Sequence, residues 1–490
     1  MTTNTPKLAS SFRKIVTGGS LETPQEENMT SSPITRRAAF TSVGLAMLGI
    51  SLAAETKPSA GDDLRLHVRA FGAKADQTTD DTAAFQSAID AAAERGGGTV
   101  FVPAGTYRLN GTLIIRRNVT LEGVFTAPPT IPWTAESLGK RAPNGSVLLA
   151  FNGKGKSGGA PFIQLDFNAT VKGLAVFYPE QTDTNPPIAY PWTISSLLSG
   201  ADNCSIIDVL LVNPYQAVDF GGRHTGRHFI RNLNGAPLYR GLFIDHCLDV
   251  GRVENVHFWP FWGATGAAAE FRRKQGKAFI IGRTDWQHLT SCFCIDYETG
   301  FQFIPCTSAR AEYQGGGNAQ ITGGGADCCN RAVHVVEMQG HSGARFVNSQ
   351  IYGDIIVEPT NNAPLTFSAC AMFGSMWAAN GIALARIEGG GKVSFTDCHI
   401  HCIDPRNTIR TLIHAKAGRL QVRGCNFLDG HTARDHIVLD EAVLSAHISD
   451  NTSRPAFNVV NKAKGKTIIR DNLSEALNPS LSRSLPFCSP

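Results

Sequence analysis

Apolar positions along the chain follow two periods. Between residues 80 and 95 they fall at Phe85, Ala88, Ile89 and Ala92, the i, i+3, i+4, i+7 stripe of one helical face. Thr79, Asp80 and Asp81 stand before that stripe with oxygens suited to the unpaired amides of a first turn, and Gly96-Gly97-Gly98 follows it. The pattern therefore predicts one helix over 80–95. Beyond it the apolar residues come in short strand-like runs: Thr99 to Pro103, Thr112 to Ile115, Val119 to Leu121.

From Leu121 onward the runs repeat. The unit is an apolar residue, a variable one, then a small residue or Asn, Asp or Gly. It occurs at Leu121, Val171, Ile206, Val253, Leu289, Ile321, Phe346, Phe367, Phe395, Val422, Ile448 and Ile469. The last seven are 25, 21, 28, 27, 26 and 21 residues apart. A period of twenty-odd residues without helical filling predicts an all-β solenoid, in which each coil buries its inner face only by stacking on the next. Twelve rungs at ~4.8 Å make a rod on the order of 55 Å.

Composition sharpens this in three places. Glycine is one residue in ten, 49 of 490, as a chain of many tight turns requires. The 45 Lys and Arg against 41 Asp and Glu leave +4, which argues against a nucleic-acid partner held by a basic surface. Cys292, Cys370, Cys398 and Cys425 each lie three residues after a rung, which predicts an inward stack of thiols packed as small apolar groups. No His/Cys spacing suggests a zinc site.

The N-terminus reads as an address rather than a fold. Arg36-Arg37 precedes an apolar run from Val43 to Ala54, too short to span a bilayer and ending in small residues. It resembles a twin-arginine export signal over residues 1–54, with Met29 as an alternative start. The expectation is a chain handed to the Tat translocase, placed in the periplasm or outside the cell, and left with no membrane anchor after cleavage.

Three segments resemble a known opening: Val68-Arg69-Ala70-Phe71-Gly72-Ala73, then Asp80 to Ile89, then Gly97-Gly98-Thr99-Val100-Phe101-Val102-Pro103-Ala104-Gly105-Thr106-Tyr107. They resemble the start of pectate-lyase-superfamily parallel β-helix proteins, the group that includes family 28 glycosidase-like and rhamnogalacturonase-like members. Ala70 departs from the usual acid, and Lys74 to Gln77 lacks the usual glycines. The resemblance implies a right-handed parallel β-helix of about twelve coils over 55–490. An N-terminal cap would occupy about 64–110, long loops 121–335 and short coils 336–475. The likeness speaks to fold more than to reaction. The family 28 motifs are missing: Asn213-Pro214-Tyr215-Gln216 stands where a paired Asp belongs, and Arg386-Ile387-Glu388 is not Arg-Ile-Lys.

Candidate chemistry gathers where the rungs are far apart. Gaps of 50, 35, 47, 36 and 32 residues separate the rungs from 121 to 321, and Trp133, Trp192, Trp259, Trp262 and Trp286 lie in them. Nine residues after successive rungs come Glu180, Tyr215, Trp262 and Glu298, with Asp296 two before the last. A shared offset predicts a shared azimuth. Asp296, Glu298 and Glu180 are then the catalytic candidates, and Tyr215, Trp262, Trp259, Trp192 and Tyr178 the residues for sugar faces. Asp183, Arg227, His228, Asp327 and Arg331 could reach the same groove. A second series, Asp202, Asp249 and Asp285, lies four before its rungs and needs a cation or hydrogen bonds between the acids.

Three functions fit. The first is a glycoside hydrolase on a plant or algal polysaccharide, without cofactor, working through a carboxylate pair. The second is a polysaccharide lyase or epimerase, which would bring calcium to acids such as Asp202, Asp249 and Asp285 beside Arg283. The third is a non-catalytic glycan-binding or structural β-helix.

Overall fold

The computed structural model describes residues 65–129, 142–308, 314–374, 383–402, 408–429, 434–454 and 456–475. The twin-arginine segment and Trp133 lie outside the described residues. Among the described residues no helix is long and apolar enough to cross a membrane.

Each coil runs through up to three strand segments, some of them continuous around a corner, and equivalent segments of successive coils pair in parallel, giving three ladders, here A, B and C in chain order. Ladder A passes directly from residue to residue through Leu66, Val100, Leu121, Val171, Ile206, Ile230, Val253, Leu289, Ile321, Phe346, Phe367, Phe395, Val422, Ile448 and Ile469. All twelve rung residues found in the sequence lie on this ladder. The described coils number fifteen on this ladder, not twelve. Leu66 and Val100 precede the repeat, and Ile230 divides the 47-residue gap into 24 and 23.

The third residue of the unit has a geometric reason. Asp208, Asn232, Asn255, Ser291, Asn348, Asp397, Asp450 and Asp471 all have φ between 50° and 58°, where the chain bends from ladder A to ladder B. Asn, Asp and Gly tolerate that left-handed bend best. Inside, aromatic rings stack from coil to coil: Phe279 on Phe301 at 4.8 Å, Phe346 on Phe367 at 5.1 Å, Phe367 on Phe395 at 5.3 Å. Cys292, Cys370, Cys398 and Cys425 are buried and unbridged at the A–B bend. The Cys370 thiol donates to the Phe346 carbonyl at 3.4 Å. Burial pushes the Cys292 thiol up to about 12.

The one expected helix is α1, Thr82–Glu94, and its buried residues are Phe85, Ala88, Ile89 and Ala92. It packs on the first coils, with Phe85 edge-on to Tyr107 at 5.1 Å. The capping oxygen comes from Asp80, which accepts the Thr82 amide at 3.0 Å. Asp81 turns the other way and accepts the Lys74 and Ala75 amides at 2.7 and 3.1 Å.

Long excursions leave the coils at particular corners. Residues 151–162, 178–191 and 259–276 bulge between ladders B and C, the last carrying α2, Ala267–Gln275. The outer face of ladder C, bordered at its B–C corner by these insertions, is the candidate trough. Its central outer stripe stays largely covered, with Ser195, Asp219, Ile280, Gln302, His334 and Ile356 all under a tenth exposed.

Candidate active-site trough

The residues expected on one azimuth part company at the inserted segments. Tyr215 and Tyr239 are true neighbours, backbone-bonded at 2.9 Å and with rings 5.1 Å apart. Beyond Tyr239 the next position in line belongs to Lys277, whose amide bonds the Tyr239 carbonyl at 2.8 Å. Trp262 has been carried off by the 259–276 excursion. It lies 6% exposed in an apolar cluster on the outer face of ladder B, with Val212, Phe177 and Phe261. Trp259 is half-buried in the same place, stacked on Phe293 at 6.1 Å. Tyr178 is buried and shares a hydrogen bond with Thr193 at 2.7 Å, so it offers no face to a sugar. Glu180 sits in the 178–191 excursion, paired with Lys154 at 3.0 Å. Trp192 does reach the trough, stacked at 6.4 Å on Phe243 of ladder C.

Asp296 and Glu298 have different neighbours. Asp296, in a left-handed bend with φ of 69°, is gripped by Arg272 and Arg273 of α2, each at 2.6 Å. It anchors the helix to the solenoid. Asp183, another groove candidate, accepts the Ala268 amide at 2.8 Å and so caps the same helix. Glu298 leads into the ladder C strand Thr299–Phe303 and meets Arg331 at 3.2 Å.

Around that pair the trough holds further chemistry. One coil on, His334 bonds Glu358 through Nε2 at 2.9 Å and meets the Gln302 side-chain nitrogen through Nδ1 at 3.3 Å. With the Gln302 amide donating, Nδ1 accepts, and the ring proton sits on Nε2, facing Glu358. Burial pushes the His334 pKa down, with the Glu358 bond acting against it and Arg331 with it. Paired with Arg331 on the next coil lies Asp354, 1% exposed, with its pKa pushed up to about 7 by burial against the pull of Arg331 and Arg386. At the other end of the trough, Asp219 pairs with Arg223 and accepts the Gly221 amide at 3.0 Å.

Glu298 and Arg331 were legible as candidates, whereas Gln302, His334, Asp354 and Glu358 were not. A signal existed: Gln302 and His334 both lie thirteen residues after their rungs, Leu289 and Ile321. An offset that long crosses the B–C corner, where inserted residues blur the register.

The second acid series resolves differently. The coil hidden in the 47-residue gap places Arg227 between Asp202 and Asp249, at 3.3 and 2.7 Å. Asp285 pairs with Arg283 at 2.6 Å. Guanidinium groups already occupy these carboxylates, so the three acids as arranged do not fit a calcium ion. Asp249 and Asp285 help line a cleft of about 190 Å³ together with Trp286, which is 60% exposed. Asp245 beside them accepts the amides of Arg283 and Thr307 at 2.7 and 2.8 Å.

Comparison with known proteins supports this architecture. A family described as rhamnogalacturonase A/epimerase, pectate lyase-like, matches residues 66–196. Alginate lyase 7 of Azotobacter vinelandii is 49% identical over 67 residues, 12% of this chain and 8% of that protein. An exopolygalacturonase of Arabidopsis thaliana is 29% identical over 250 residues, 45% of this chain and 53% of the relative. The chain thus spans about half or less of these relatives. Among solved structures, the pre-mature bacteriophage phi29 gene product 12 superposes with a TM-score of 0.51 at 12% identity, covering 84% of this chain and 55% of that one. This last likeness concerns the fold alone.

Proposed function

From its place in the pectate-lyase-like parallel β-helix superfamily, we propose that the chain is a polysaccharide-active enzyme of the lyase or epimerase kind. Its substrate would be a uronate-containing glycan lying along the ladder C trough. The observation that carries this reading is the cluster Glu298, Arg331, His334 and Glu358, where a guanidinium stands among two carboxylates and a buried imidazole.

Proton removal from carbon 5 of a uronate leaves charge on the adjoining carboxylate. A fixed guanidinium there stabilises that charge in the transition state. Arg331 would take the carboxylate, and Glu358, oriented by His334, would take the proton. For a lyase the C4–O4 bond then breaks, the electron pair left on carbon 5 becomes the C4=C5 double bond, and O4 leaves with a proton taken from water. For an epimerase a proton returns to carbon 5 from the opposite face. Two-carboxylate hydrolysis instead needs one acid held protonated beside the glycosidic oxygen. Asp354 has a suitable pKa but is 1% exposed, beneath the reach of a polymer. That favours proton abstraction over the hydrolase reading.

The test is incubation with alginate and with polygalacturonate in D2O. Ultraviolet absorbance of an unsaturated uronide marks a lyase. Deuterium at carbon 5 without absorbance marks an epimerase. New reducing ends with neither signal would return the hydrolase to first place. Glu358→Gln and Arg331→Gln should each lower turnover by ~100-fold or more, the scale of lost acid–base or electrostatic catalysis.

A further inference from the structure

Ladder A carries, near its C-terminal end, a cleft remote from the ladder C trough. It measures about 320 Å³ and is lined by Lys392, Arg419, Lys466, Gln421, Ser445 and His447, with Leu420, Ala446 and Ile468. Register explains why cations converge there. Lys392 pairs directly with Arg419, Arg419 with Ser445, and Ser445 with Lys466. Val393, Leu420 and Ala446 are buried in the core, so the preceding residue of each strand projects outward. Four successive rungs at ~4.8 Å set three positive charges along a line of about 14 Å.

These cations stand apart from their neighbours. Nearby, Lys416 pairs with Glu388 at 2.6 Å, Arg423 with Asp450 at 3.3 Å, Lys464 with Glu441 at 2.5 Å and Arg470 with Asp471 at 3.5 Å. Lys392, Arg419 and Lys466 have no carboxylate partner among the described residues; Arg419 reaches only the Gly390 carbonyl, at 3.3 Å. In the next outer row, His447 leaves its Nε2 buried without a hydrogen-bond partner. A row of unpaired cations over an unsatisfied imidazole nitrogen is charge-complementary to an acidic ligand.

We propose that this cleft is a second binding site, for a stretch of polyuronate running along the helix axis. The claim rests on the polysaccharide reading above. A line of three charges over about 14 Å is longer than a single small anion needs and suits a polymer with one carboxylate on each sugar. Nucleic acid is the poorer fit, because no Phe, Tyr or Trp lines the cleft for bases to stack on. A processive or surface-bound enzyme gains from such a site by avidity, since the trough then meets its substrate at raised effective concentration.

The experiment is affinity electrophoresis through gels holding alginate, polygalacturonate, neutral dextran or single-stranded DNA. The variants are the triple Lys392→Gln/Arg419→Gln/Lys466→Gln and the conservative Lys392→Arg/Lys466→Arg. Thermal unfolding checks that each is folded, and turnover on a short uronate oligosaccharide reports the trough separately. The expected result is wild-type retardation by a uronan gel that fades with salt, at least tenfold weaker in the triple variant and kept in the Arg variant. Should the triple variant be retarded like wild type, the cleft is overturned while the enzymatic reading stands. Retardation of the wild type that is lost in the triple variant, with no turnover of any uronan by either, leaves the cleft standing and removes the enzymatic reading. Retardation by DNA alone, or no wild-type retardation at all, overturns the cleft.

Discussion

Asp354 shows how one residue's burial becomes a measurable property of the protein. Its folded pKa of about 7 lies above the ordinary 3.8. The folded protein therefore holds a proton that the unfolded chain releases between those values. Stability falls as pH rises across that window, because the native state binds more protons than the unfolded one. A gap of about three units corresponds to roughly 4 kcal/mol. Asp354→Asn should raise the unfolding temperature at pH 8, and the gain should vanish near pH 4. His228 runs the other way. It is buried, and its pKa is depressed to about 4 by desolvation, so its contribution is present above 6.5 and lost as pH falls towards 4. His228→Gln should flatten the acid side of the stability profile. Calorimetry across pH separates the two, and an Asp354→Asn gain that is the same at pH 4 and 8 would remove the burial argument.

At the scale of elements, α2 depends on acids that the sequence offered as chemistry. Arg272 is 1% exposed and relies on Asp296 for its charge partner. Removing one partner of a buried ion pair costs about 3–5 kcal/mol. Asp296→Asn should therefore lower stability by that much and loosen residues 259–276 in hydrogen exchange. Turnover should fall only as far as folding does; a 100-fold loss in a fully folded Asp296→Asn protein would restore its catalytic role. The misreading has a physical origin. Ladder A repeats a three-residue signature enforced by a left-handed bend, so apolar spacing alone found twelve of its partners. Ile230-Arg231-Asn232 carries the same signature in the middle of the 47-residue gap. The gap thus holds a full coil, and that coil puts Tyr239 beside Tyr215 and Arg227 between Asp202 and Asp249. Ladder C has no such bend, and insertions precede several of its strands. His334 shares its thirteen-residue offset with Gln302, but Glu358 lies twelve after its rung, Phe346. The thiol row was legible because it sits next to the bend: Cys370, Cys398 and Cys425 should alkylate in denaturant without reductant and resist alkylation when folded.

The whole molecule is a stack in which each coil touches mainly the coils on either side, so its stability approximates a sum of coil and interface terms. Partner-to-partner pairing on ladder A makes this concrete. Ile206 lies on Ile230 and Ile230 on Val253, so deletion of residues 230–252 brings Ile206 directly onto Val253. That coil has no long excursion, and the bend residue Asn255 replaces Asn232 beside Asp208. What is lost includes Phe243 under Trp192 and the Asp249 carboxylate on Arg227. The Glu298, Arg331, His334 and Glu358 cluster lies farther along and is untouched. The shortened protein should fold cooperatively at a lower unfolding temperature and keep the activity of that cluster. Deleting only 230–241 removes half a coil, sets ladder A against ladder C, and points apolar side chains at solvent. It should give an aggregating chain. Circular dichroism and unfolding of the two deletions decide the matter, because a globular core that needed every long-range contact would lose its fold in both.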